Sequence, residues 1–290
     1  MLLLDAVPIT SCHECVATLT LPLALFLTLA ETTIGGIATV AYLKRAGGLT
    51  LGFLKFIAVT YAIFGVLAFL VVLAAPPGSY RHLLTINQPA ANALVFLQGC
   101  LVLALLVNAV VTWRGRGPST AGAALALLAS VLVLAGITAT FAPLAGSGLA
   151  SAGVALMVAL SAAVLGAATT GMLLGHWYLV TPALTNRPLL LAIGLLLISL
   201  VLQAAVVPVT LGGVGRGSGS LTHALGLSPV LSVLWALGSV ILPLVAGALA
   251  LATCRLRSFM STTGLLYLAM IAILPGQLLG QLLFFVAASA

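Results

Sequence analysis

One carboxylate in this chain stands at a depth where carboxylates seldom survive. Glu31 lies halfway along the apolar run Val16 to Leu43, VATLTLPLALFLTLAETTIGGIATVAYL. A charged side chain at bilayer depth costs roughly 2.5–3.5 kcal/mol even on the insertion scale, so it marks a functional site by default. Two chemistries fit it. It is either a neutral acid hydrogen-bonded to Thr32, Thr33 or a neighbouring helix, or a group that exchanges a proton or touches a ligand. The residues that follow, Thr32, Thr33, Gly35 and Gly36, bring hydroxyls and an unshielded backbone. Small residues of this kind permit close helix packing, and in matching halves of a membrane protein they also line binding sites.

Two further clusters carry reactive atoms. His176, Trp177 and Tyr178 close the fifth apolar run. Trp and Tyr at that position read as interfacial anchors, while the imidazole titrates near neutrality and could stand at the mouth of a path toward Glu31. Cys12, His13, Glu14 and Cys15 form the densest set of donor atoms. A CxxC serves as a redox dithiol, half a metal site or a disulfide. Val16 stands where c-type haem attachment needs His. His82 and His223 fall on the same expected side as the CxxC and would have to complete any metal site, since zinc takes four ligands. A disulfide or free dithiol is the expected state, with a shared metal the alternative. Intramembrane bis-histidine haem is not expected, because only His176 lies in a helix. No Walker A, dinucleotide-binding, HExxH or GxSxG motif occurs.

The elements that must position these groups follow from composition. Hydrophobic residues make up 63% of the 290 and charged residues 4%, with a mean hydropathy of +1.34. That composition excludes a water-exposed surface and requires a lipid bilayer. The net charge of +7 is scattered in ones and twos rather than in a stripe, so nucleic acid is not an expected partner. Eight apolar segments can be marked, 16–43, 51–74, 89–113, 119–142, 151–180, 188–209, 228–253 and 259–288. They are continuously apolar without ten-residue alternation, hence helices rather than barrel strands. No cleavable leader is expected, because Met1 to Thr10 has no basic region.

Alternate loops receive eight and two of the ten Lys and Arg. Positive charge stays inside, so Lys44, Arg45, Lys55, Arg114, Arg116, Arg187, Arg255 and Arg257 mark the cytoplasmic side. Both termini are then expected outside, in a membrane of the prokaryotic plasma-membrane type. The halves also repeat. At a shift of 136, Gly35, Tyr42 and Leu43 fall on Gly171, Tyr178 and Leu179, and at 141, His82, Arg114 and Arg116 fall on His223, Arg255 and Arg257. The expected fold is all-α, with an outer segment 1–15 and two tandem four-helix units, 16–142 and 151–288, in parallel orientation about an axis along the membrane normal.

Eight helices in two four-helix bundles, with the Gly-rich TTIGGIATVAYL in the first, resemble the NrfD-like membrane subunits of polysulfide-reductase-type respiratory complexes. The resemblance implies a haem-free subunit that meets membrane quinone and docks redox partners, with Glu31 as a generic candidate contact. The function expected is a quinone-interacting or anchoring subunit of a redox complex, without the catalytic centre itself. The alternatives are a small-solute transporter with its site between the repeats, and an outer-face thiol oxidoreductase at Cys12 and Cys15.

Overall fold

An apolar run in a bilayer has no water to satisfy its backbone, so it closes its hydrogen bonds within itself as a helix. A computed structural model of the chain describes residues 13–115, 120–145, 148–181, 185–211 and 229–289, and these form eight helices long and apolar enough to cross a membrane. They are α1 (His13–Ala46), α2 (Leu51–Ala74), α3 (Gln88–Arg114), α4 (Thr120–Phe141), α5 (Gly148–Val180), α6 (Arg187–Leu211), α7 and α8 (Phe259–Ser289). Helix starts follow local chemistry. The Thr50 hydroxyl accepts from the Phe53 N–H at 3.3 Å to cap α2, and the Asn87 side-chain Oδ1 accepts from the Ala90 N–H at 3.3 Å to cap α3. Gly47 and Gly48, both at positive φ, turn the chain from α1 into α2.

Two elements add to the sequence reading. The first helix begins at His13, ahead of the apolar span that starts at Val16, so helical backbone runs through His13 and Cys15. The seventh helix is not continuous. Pro229–Ala236 and Leu242–Arg255 are α-helical and are joined by a π-helical turn, Leu237–Ile241; together they form α7. Pro243 sits just after the turn and has no N–H to give to the preceding carbonyls, which breaks the regular register.

The helices pack as two rings. α1 to α4 follow one another round the first, with α4 closing on α1, and α5 to α8 do the same in the second, with α8 closing on α5. The rings meet chiefly along α1 with α5 and α1 with α8. As a result α1 is the most enclosed helix, with 78% of its apolar window buried against 28% for α7. That enclosure explains why Glu31 tolerates its depth: it faces protein.

The short connections make the helices alternate in direction. On one face Asn87 N–H donates to the Thr140 carbonyl, joining the start of α3 to the end of α4. On the other face Tyr178 donates to the Thr185 carbonyl, and Asn186 Nδ2 donates to the Cys254 carbonyl at 3.3 Å. We call the first the start face of α1 and the second the basic face, where Lys44, Arg45, Arg114, Arg187, Arg255 and Arg257 lie.

Candidate functional site

Glu31 is buried on α1, and its Oε2 accepts a hydrogen bond from Gln281 Nε2 of α8 at 2.6 Å. Gln281 Oε1 in turn accepts from the Thr28 hydroxyl at 2.9 Å. Thr32 and Thr33 do not serve Glu31. Their hydroxyls bond back along α1 to the carbonyls of Thr28 and Leu29, at 2.6 and 2.8 Å. The partner of the lone acid therefore comes from a helix 250 residues away.

One turn along α8 lies a second cluster. Gln277 and Gln203 of α6 pair their side-chain amides reciprocally, Gln277 Nε2 to Gln203 Oε1 at 2.9 Å and Gln203 Nε2 to Gln277 Oε1 at 3.1 Å. The Ser161 hydroxyl of α5 donates to Gln277 Oε1 and accepts from Gln203 Nε2, both at 2.9 Å. Both clusters line one cavity between the rings, with an empty volume of about 900 Å³ counting its mouth. The remaining wall is apolar, with Leu27, Phe141, Val158, Trp235 and Phe284 among it. Ser239, in the π turn of α7, also lines it, and its buried hydroxyl has no hydrogen-bond partner among the described residues. π turns are frequent at functional sites.

The depth of this cavity follows from the helical rise of about 1.5 Å per residue. Ser161 stands about 22 Å along α5 from His176, and Gln277 about 27 Å along α8 from Phe259. The cavity thus occupies the half of the bundle nearer the start face.

Beneath it the rings touch backbone to backbone. A β-carbon on Gly35 would lie 1.6 Å from the Ala162 carbonyl oxygen, and one on Gly166 would lie 2.0 Å from the Gly35 carbonyl carbon. Gly36 carries the Tyr61 ring, where a β-carbon would lie 2.0 Å away. The Tyr61 hydroxyl passes α1 to meet Thr170 of α5 at 2.6 Å. Gly171, the sequence mate of Gly35, is used differently: it faces Ala192 and Leu266 at ordinary contact distances within the second ring.

The other expected residues lie elsewhere. His176 is exposed at the basic end of α5, whereas Glu31 lies at the middle of the span of α1, and the structure does not bring the two together. Trp177 packs against Phe53 edge-on and stacks on Phe56, with centroids at 6.0 and 6.2 Å, and its indole N–H is buried without a hydrogen-bond partner among the described residues. Tyr178 is buried and ties α5 to the start of α6. His82 is exposed on a short 3-10 turn, Pro77–His82, at the start face. Cys12 and His223 lie outside the described residues, as do the side chains of His13 and Cys15. Ser161, Trp235 and Ser239 went unread in the sequence. Serines are silent in apolar helices because they can bond to their own backbone.

The sequence matches no family model, and no curated protein is significantly similar to it.

Proposed function

We propose that this chain is a membrane subunit that binds a lipid-soluble quinone in the cavity between its two rings, within a redox complex. The observation that carries the reading is the division of the cavity wall. Glu31, Gln281, Gln277, Gln203, Ser161 and Ser239 supply its hydrogen-bonding groups, and the rest is apolar. A quinone has the same division, two carbonyl acceptors on a flat ring with an apolar tail.

Reduction of a quinone to the quinol takes up two electrons and two protons. The electrons would come from a partner subunit's redox centre. In this reading the amides of Gln203 and Gln277 orient the head group. Glu31 supplies a proton to the ring oxygen and recovers it from water, the work of a positioned general acid. Gln281 holds the carboxyl in place through Oε2.

Quinone titration of the purified chain tests this. Quinones quench indole fluorescence, and Trp235 lies in the cavity wall. Saturable quenching is expected, with most of its amplitude lost in Trp235→Phe and its midpoint weakened at least about tenfold in Gln277→Leu, the equivalent of about 1.4 kcal/mol. Linear quenching, equal in both variants, would reject the site.

A second reading has one specific observation in its favour, the cavity's position between two four-helix rings. A small-solute transporter places its site there. Uptake of a radiolabelled solute by vesicles holding the chain alone, without redox partners, would favour it over the first.

A further inference from the structure

We infer that Glu31 exchanges its proton with a single aqueous phase, the one at the start face of α1, and is sealed from the basic face. The inference rests on the quinone reading for its purpose, since it names the compartment that gives and receives that site's proton. Its geometry stands without that reading.

Three observations carry it. Glu31 is the sole titratable group among the residues lining the cavity, so a proton leaving it must pass to water. In that step the carboxylic acid gives its proton to a water molecule and becomes a carboxylate, and the return step reverses it. Hydrogen-bonding groups continue from Glu31 toward the start face, through Gln281 to Thr28.

Toward the basic face the next hydroxyls, of Thr32 and Thr33, turn back to the carbonyls of Thr28 and Leu29, and the Tyr61–Thr170 pair lies beyond the glycine crossing. The Gly35, Ala162 and Gly166 backbones are in contact, and the Tyr61 ring covers Gly36. Water needs a polar space of its own to bridge such a gap, and close-packed backbone leaves none.

Below the crossing a separate cavity of about 380 Å³ begins, inside the first ring, lined by Lys44, Tyr61, Asn108 and Thr112 among apolar neighbours. The two cavities share no lining residue. Asn108 and Thr112 are buried in the second one and make no side-chain hydrogen bond among the described residues. Among the described residues these two half-cavities lie on opposite sides of one glycine crossing, and of the two the acid belongs only to the first.

Sided chemical access decides it. In the full chain with Cys12, Cys15, Cys100 and Cys254 changed to Ser, single reporters Ser161→Cys and Thr112→Cys are exposed in sealed vesicles of each orientation to a small impermeant methanethiosulfonate. Ser161→Cys is expected to react from the start face at least tenfold faster than from the basic face, and Thr112→Cys the reverse. Wild-type chain supplies a second measurement that needs no variant. A water-soluble carbodiimide with an amine nucleophile, applied to either face and read by peptide mass spectrometry, is expected to modify Glu31 from the start face alone. Reaction of Glu31 or Ser161→Cys from the basic face, from both faces equally, or from neither overturns the inference. Quinone binding is read separately by fluorescence, so either proposal can fail while the other holds.

Discussion

Replacing Gly35 with alanine adds one methyl group where α1 and α5 meet backbone to backbone. The new carbon would lie 1.6 Å from the Ala162 carbonyl oxygen, whereas ordinary contact begins at 3.4 Å. Neither group is the end of a flexible side chain, so the helices must part by nearly 2 Å. A gap of even 0.5–1 Å forfeits about a quarter to a half of each dispersion contact, and overpacking a tight interface costs about 1–3 kcal/mol. The upper end applies here, because a parting of α1 from α5 is felt along the whole ring interface. At roughly 2–4 °C per kcal/mol for a chain of this size, about 3 kcal/mol lowers the melting temperature by about 6–12 °C. Gly171→Ala is the matched control. Its β-carbon would meet nothing closer than 3.7 Å, so alanine's better helix propensity should leave stability unchanged or raise it. Thermal unfolding in detergent, followed by a thiol-reactive dye that reports exposure of the buried Cys254, gives both values. A Gly35→Ala melting temperature within about 2 °C of wild type, or equal losses in both variants, would refute the crossing on which the architecture depends.

Three other outcomes are expected. Glu31→Gln keeps the shape and one hydrogen bond to Gln281 but removes the exchangeable proton, so it should impair quinone-linked turnover in native membranes while assembly is retained; Glu31→Ala should also destabilise by about 1–3 kcal/mol by leaving Gln281 Nε2 unpaired. A double-mutant cycle on Gln203→Leu and Gln277→Leu should give a coupling of about 0.6–1.7 kcal/mol by thermal unfolding, the range for hydrogen bonds between membrane helices, and no coupling would contradict the reciprocal amide pair. Tyr61→Phe removes only the hydroxyl that meets Thr170, so a loss of about 1 kcal/mol is expected with quinone binding unchanged, because that bond lies below the cavity.

Much of this arrangement is legible in the residues themselves. The eight helices follow from apolar length, and their ends from Thr50, Asn87 and the Gly47–Gly48 turn. Glu31 stands out because a charge at that depth needs a reason. Asn92, Gln98, Asn108, Gln203, Gln277 and Gln281 read as bonds between helices; the four glutamines each make one, Gln98 Nε2 donating to the Gly65 carbonyl at 3.3 Å, while Asn92 and Asn108 make none among the described residues. What the residues do not announce is who meets whom. Nothing local pairs Glu31 with Gln281 or Gln203 with Gln277, since those contacts depend on how two rings sit against each other. The π turn in α7 is equally hidden, because Pro243 forces a departure whose form depends on the packing of Gly238 against Gly276. His176 has chemistry that suits a proton path, but it stands about 22 Å along α5 from Ser161 in the cavity wall, and that depth follows from helical rise rather than from its residue type.

Photolabelling tests the central claim most directly. An azidoquinone is activated in native membranes holding the full chain, and its attachment sites are mapped by peptide mass spectrometry. The account predicts labels within residues 154–161, 235–240 and 277–284, displaced by excess unlabelled quinone and strongly reduced in Gln277→Leu. Labels that avoid these segments and fall instead on lipid-facing residues such as Phe96, Leu103 and Ile271, undisplaced by competitor, would contradict it.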